Sequence, residues 1–290
     1  MTKKAIAITG GAQGIGAATA RAFATRGHAV AIGDIDGELA LKTAAEIAGD
    51  TGSTVVGLDV DVTDSKAFAR FLDKAEKALG GLDALVNNAG IMPTGRFLDE
   101  SDGVSDRQID INVRAVVIGS KLAGNRFKDR GQGQIVNVAS IVGLAAAPGI
   151  AVYAATKFAV VGLGQVLHQE LEEYGVTVTT ICPAYVNTQL IAGVEQPWIV
   201  RRIGLVEPEV VAKAIVDCVE KERGGQHIVP RRAASILQPV RMLPQGIAIR
   251  VGRALGLDHV AIDTDESKRG AYRDRTESLD VASVKKRGNR

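Results

Sequence analysis

A chain of 290 residues with 46% hydrophobic content is long enough to bury one large α/β core. A formal net charge of +2 gives no whole-chain case for a nucleic-acid partner, and Cys182 and Cys218, the two cysteines, stand in no CxxC or Cys/His cluster, so neither a disulfide framework nor a metal site is expected. No run of 18 apolar residues occurs, and the apolar stretch after Lys4 is too short for a signal core, so the expected location is cytoplasmic.

Apolar run 5–8 reads as a buried strand and is followed by a helical pattern from 14 to about 26. The strand pattern repeats at 29–32, 54–58, 84–86, 134–138, 176–181 and 227–229. Helical stretches fall at 38–48, 65–79, 105–128, 152–173 and 208–222. Continuous apolar strands alternating with amphipathic helices predict a mostly parallel sheet covered on both faces. With right-handed crossovers this is a doubly wound α/β fold of seven strands, the Rossmann arrangement, over residues 1–230. Residues 231–290 form a C-terminal extension of short helices and then a polar tail.

Thr9-Gly10-Gly11-Ala12-Gln13-Gly14-Ile15-Gly16 joins the first strand to the first helix. Glycines there let the backbone turn tightly and approach a pyrophosphate at the helix N-terminus. The spacing is Gly-x-x-x-Gly-x-Gly rather than GxGxxG. Asp34 ends the second strand, where a carboxylate accepts hydrogen bonds from the adenosine ribose and repels a 2′-phosphate. Gln13 and Ile35 occupy the neighbouring positions that would be basic in an NADP protein. The cofactor expected is therefore NAD rather than NADP.

Tyr153 and Lys157 lie four residues apart, on one face of a helix. A cation beside a phenol favours the phenolate and is expected to lower the tyrosine pKa toward working pH. Such a pair suits proton exchange with an alcohol or carbonyl.

With Thr-Gly-x-x-x-Gly-x-Gly at 9–16, Asn-Asn-Ala-Gly at 87–90, Asn112, Ser140 and Tyr-x-x-x-Lys at 153–157, in that order, the chain resembles the short-chain dehydrogenase/reductase family over about residues 4–230. The resemblance implies catalytic roles for Asn112, Ser140, Tyr153 and Lys157. Tyr153 would be the general acid/base, and Lys157 would tune it and bind the nicotinamide ribose. Ser140 would bind the substrate oxygen, and Asn112 would hold a water in a proton relay. It implies cofactor contacts from Gly10, Gln13, Gly14, Ile15, Gly16, Asp34, Asp61, Val62, Asn88, Ala89, Gly90, Tyr153, Lys157, Pro183, Val186 and Thr188. Asn87 would order the central strands. One departure is Ala184, after Pro183, where the family usually has glycine. The reaction implied is interconversion of a secondary alcohol and a ketone by hydride transfer. The alternatives are an NADP-preferring carbonyl reductase and a non-catalytic cofactor-binding regulatory protein. The family also implies a homo-oligomer, dimer or tetramer, joined through helices 105–128 and 152–173.

A covering loop is expected from 189 to 205, with Ile191, Val194, Trp198, Ile199, Val200 and Ile203. With Ile141, Val142, Leu144 and Ala145 to Ala147 it would give a largely apolar pocket for a steroid-, retinoid- or lipid-like substrate. Arg201 and Arg202 read as a solvated charge pair. Residues 226–290 hold 13 Lys/Arg against 7 Asp/Glu. Core or subunit packing is the favoured reading of this extension, ahead of a cover over the cleft and of contact with an anionic membrane surface. Residues from Asp263 onward, with Lys285, Lys286 and Arg287 near the end, read as exposed and frayed.

Overall fold

The computed structural model describes residues 2–145, 147–194 and 198–254, together with 256, 261, 262, 264, 265, 267–270 and 272. Ala146, the side chains of Trp198, Ile199 and Ile203, Leu255, Asp263 and the tail through Lys285, Lys286 and Arg287 lie outside the described residues.

Strands β1 (Ala5–Thr9), β2 (Ala29–Asp34), β3 (Val55–Asp59), β4 (Ala84–Asn87), β5 (Gly133–Val138) and β6 (Val176–Pro183) come first. Two-residue strands β7 (Tyr185–Val186) and β8 (Leu205–Val206) precede β9 (Gly225–Val229). The main sheet has seven strands, ordered β3-β2-β1-β4-β5-β6-β9, and every pairing in it is parallel. This is the doubly wound arrangement expected from the alternating pattern. Alternate strand residues face opposite sides. Ile6 and Ile8 of β1 therefore join one core and Ala7 the other.

Helices α1 (Gly14–Thr25) and α2 (Gly37–Thr51) cover the first face. There Phe23 and Ile47 pack with Val211 and Ile215 of a later helix. On the second face α3 (Ser65–Leu79) brings Phe68, Phe71 and Leu72 against the sheet. Asp36 caps α2 through Leu39 N–H, and Asp64 caps α3 through the N–H groups of Lys66 and Ala67.

The predicted helix over 105–128 is two helices. Ser101 caps α4 (Asp102–Ile109), a π-helical turn spans Asp110–Arg114, and α5 (Ala115–Arg130) follows. The wider turn falls at Asn112, which is buried there. Helix α6 (Ala151–Glu170) packs beside α5, burying Tyr153 and Lys157 on its inner face. The short α7 (Trp198–Ile203) lies between β7 and β8, and α8 (Pro208–Glu220) returns to the first face against α1. The extension starts with α9 (Arg231–Arg241), which buries Ala233 against β9, and α10 (Gln245–Ala254), whose apolar residues Ile247 and Ile249 are exposed. Among the described residues no helix is long and apolar enough to cross a membrane.

Candidate active site

Strand order reverses between β1 and β4, and ligands of open α/β sheets bind at such a point, beyond the carboxyl ends of the strands. A cleft of about 1690 Å³ opens there. It is lined by all of the expected cofactor residues except Gly16, which lies beneath the turn. A Cβ on Gly16 would stand 2.2 Å from the Gly10 carbonyl oxygen. Gly10 (φ +61°) and Gly14 (φ +55°) use the left-handed region, and a Cβ on Gly10 would meet Ala89 Cα at 2.7 Å. These glycines keep the turn low and leave the N-terminus of α1 open to the cleft. Asn88 fixes the turn from the next strand: its Nδ2 donates to the carbonyls of Thr9 (3.0 Å) and Gly10 (2.9 Å). Thr9, given no role above, accepts from Asn88 N–H (3.1 Å) and Ala89 N–H (3.3 Å) through its hydroxyl.

Asp34 accepts from Ala12 N–H (3.1 Å) and Asp36 N–H (3.2 Å). Burial raises its carboxyl above the ordinary value, against the pull of those N–H groups. Asp36, Glu38 and Asp61 line the same end of the cleft. Asp61 accepts from the N–H and hydroxyl of Thr63 (3.0 and 2.7 Å), and the cap of α3 falls to Asp64. The glycine turn, the open helix end and this carboxylate fit a dinucleotide.

At the other end, Ser140, Tyr153 and Lys157 converge. Ser140 hydrogen-bonds the Tyr153 phenol, and its Oγ also accepts from Val142 N–H (3.3 Å). Lys157 Nζ lies 5.5 Å from the centre of the Tyr153 ring and donates to the Val138 carbonyl (2.9 Å). The expected depression of the tyrosine does not hold for the site as it stands. Burial pushes the phenol above its ordinary value, opposed by the Ser140 hydrogen bond and reinforced by Tyr272. Burial also lowers the Lys157 ammonium to about 8, against the pull of Cys182. Burial is the largest cause for both groups, and neither shift draws on the other member of the pair.

Asn112 is fully buried. Its Oδ1 accepts from Ile91 N–H (2.9 Å), and its Nδ2 donates to the Ile91 carbonyl (2.9 Å) and Thr156 Oγ1 (3.2 Å). Thr156 in turn donates to the Tyr153 carbonyl (2.7 Å), so Asn112 ties the loop after β4 to the helix that carries Tyr153. A Cβ on Gly90 would lie 3.2 Å from Asn112 Oδ1 and 3.7 Å from Lys157 Nζ, which places that glycine between the two. Asn87 donates to Asn137 Oδ1 (2.9 Å) across β4 and β5, as its strand-ordering role requires. Ala184 lines the cleft while its N–H donates to the Val229 carbonyl (2.7 Å), so its backbone stays in the sheet register. Thr188 donates to the Val186 carbonyl (3.3 Å) beside the glycine turn.

Around Tyr153 the chamber is apolar. Met92, Val142 and Ile150 pack with it, and Ile141, Ala147, Leu190, Ile191 and Val194 border them. Arg201 and Arg202 are exposed. The extension departs from its favoured reading in one part. While α9 packs on the body, Ala261 joins the Tyr153 cluster, and both Ala261 and Tyr272 line the cleft. Sequence gave no signal for this, because it rests on backbone carbonyls and isolated side chains.

A parallel sheet with a glycine turn at its switch point and a buried Ser-Tyr-Lys group at the far end of the same cleft defines a Rossmann-fold protein of the dinucleotide-dependent oxidoreductase class. The chain belongs to the short chain dehydrogenase family, whose model matches residues 4–197. It is 35% identical over 259 residues to a probable oxidoreductase, EphD, of Mycobacterium tuberculosis; the match takes in 83% of this chain but 43% of that protein. It is 38% identical over 191 residues to a 2,5-dichloro-2,5-cyclohexadiene-1,4-diol dehydrogenase of Sphingobium indicum, covering 66% of this chain and 76% of the relative. Among solved structures, a 3-ketoacyl-(acyl-carrier-protein) reductase from Brucella melitensis complexed with NADH superposes with a TM-score of 0.72 at 28% identity, over 78% of this chain and 96% of that one.

Proposed function

We propose that the protein is an NAD-dependent oxidoreductase that interconverts a neutral, apolar secondary alcohol and its ketone. The observation that carries this reading is the convergence of Ser140, Tyr153 and Lys157 on the apolar end of a cleft whose other end is the glycine turn and Asp34. The relative that is a diol dehydrogenase and the NADH-bound neighbour support it.

Bound NAD supplies the hydride acceptor. Gly10, Gly14 and the N-terminus of α1 hold its pyrophosphate, and Asp34 holds the adenosine ribose. Four carboxylates, Asp34, Asp36, Glu38 and Asp61, border that end of the cleft, and this favours NAD over NADP. Lys157 reaches the second ribose, and Thr188 with Val186 borders the carboxamide. Ser140 donates to the substrate oxygen while the Tyr153 oxygen takes its proton in oxidation and returns it in reduction. The apolar chamber excludes water from these groups. Asn112 holds the loop after β4 in register with Tyr153 and lies on the route by which the proton leaves Lys157. Phe158 and Val166, both exposed on α6, support association of copies through that helix.

The test is NADH formation with a panel of secondary alcohols, and NADH consumption with the matching ketones. Tyr153→Phe is expected to lower turnover at least a thousandfold and to leave NADH affinity within about threefold. Substantial activity in that variant would remove Tyr153 from the acid/base role. Tight NADH binding with no turnover across the panel in the unaltered chain would favour a cofactor-binding regulatory protein instead.

A further inference from the structure

The chamber around Tyr153 has an outer wall that the sheet and its helices do not provide. Arg269 is only 4% exposed, and its guanidinium donates to the carbonyls of Leu190 (3.2 Å) and Ala192 (3.0 Å) and to that of Met92. Those carbonyls belong to two separate loops, one after β4 and one after β7. Tyr272 reinforces the same junction, its hydroxyl accepting from Met92 N–H at 2.7 Å. Asp265 N–H donates to the Gly193 carbonyl (2.8 Å). On the opposite rim Gly149 (φ +86°) leaves room for Ala261: a Cβ there would stand 2.3 Å from the Ala261 carbonyl carbon. Ala261 consequently packs in the same apolar cluster as Tyr153.

We infer that Ala261 and Tyr272, held in place by Arg269, form the outer wall of the substrate chamber and set the size of alcohol or ketone that reaches Tyr153. A buried guanidinium spanning three backbone carbonyls is a rigid fixture, because its fork geometry is preorganised and each bond is charge-assisted. The wall is also small and apolar at Ala261, directly beside the reacting group. It therefore limits volume rather than selecting charge. Arg269 acts through the wall and is a positioning residue; Ala261 and Tyr272 are specificity-determining.

This inference rests on the alcohol–ketone reading for its kinetic arm and not for its second arm. In the full chain, kcat/KM with NAD is compared for 2-butanol, cyclohexanol and 2-decanol. Ala261→Leu is expected to lower the ratio of 2-decanol to 2-butanol at least tenfold, and Tyr272→Ala to raise it at least tenfold. KM should carry most of the change in each ratio. Hydrogen exchange gives the second arm without turnover: Arg269→Gln should speed exchange at the Met92 amide and across 189–194 at least tenfold, leaving β1 and β4 protected. Unchanged size ratios in both chamber variants, or unchanged exchange at Met92 without Arg269, overturn the assignment. An unaltered chain that reduces no NAD with any of these alcohols counts against the proposed reaction, and exchange then decides the wall.

Discussion

Replacing Asp34 by Asn isolates what its carboxylate contributes to cofactor choice. The carboxylate ends β2 with Ala12 N–H on one oxygen and Asp36 N–H on the other, so the isosteric amide keeps the shape and one of these two bonds. An ionised acceptor facing two ribose hydroxyls is worth about 1.5–3 kcal/mol per hydrogen bond, and the amide retains one acceptor. Loss of one such bond weakens NADH by about 2 kcal/mol, or roughly thirtyfold. For NADPH the sign reverses. A like-charge pair about 5 Å apart, at an effective dielectric near 20, repels by about 3 kcal/mol, and solvent at the cleft mouth screens this to about 1–2. NADPH should therefore tighten roughly tenfold, while Asp36, Glu38 and Asp61 continue to oppose it. The preference for NADH should fall by roughly two orders of magnitude. Nicotinamide fluorescence titrations of both cofactors against both chains measure it. If NADPH binds the unaltered chain as tightly as NADH, or the ratio moves less than threefold, the reasoning fails.

Gly16→Ala puts a Cβ 2.2 Å from the Gly10 carbonyl and 2.7 Å from Asn88 Nδ2, so the turn must open; NADH affinity should fall at least tenfold in the same titration. Asn112→Ala strips partners from both backbone groups of Ile91, and urea melts should show a loss of about 3 kcal/mol; a loss below about 1 would contradict the tie. Because burial raises the Tyr153 phenol, kcat/KM for alcohol oxidation should climb from pH 6 to 9 as the phenolate forms, while ketone reduction falls. Lys157→Met removes a cation that lies 5.5 Å from the Tyr153 ring centre and should move the oxidation profile to higher pH; a flat profile, or a shift toward acid, refutes this.

All seven strands of the sheet were legible because each is a short apolar run set between helical patterns, and the sheet burial confirms why: Ile6, Ile8, Ile32 and Leu85 are fully enclosed. The glycine turn and the Tyr153–Lys157 pair were legible because local spacing alone brings their residues together. Three features were not. The π-helical turn at Asp110–Arg114 is set by which backbone groups pair, and it falls between α4 and α5, inside a stretch that reads as one helix. The direction of the Tyr153 shift depends on how completely the phenol is desolvated, which is set by Met92, Val142, Ile150 and Ala261, from four separate stretches of chain. The wall at Ala261 and Tyr272 depends on Arg269 finding carbonyls some 77 to 177 positions away, and no motif encodes such contacts.

The two-residue ladder of β7 with β8 has a consequence of its own. Tyr185 pairs with Leu205 and Val186 with Val206, and Asn187 N–H donates to the Val206 carbonyl (2.9 Å). The connection from 187 to 204, of which 195–197 lie outside the described residues, thus has its two ends held together in one narrow neck. Closing a neck costs only slightly more as a loop lengthens, about 0.6 kcal/mol per doubling. A longer connection would load the sheet little, whereas Thr188 at the cleft and the Leu190, Ala192 and Gly193 carbonyls held by the extension tie its first part to the site.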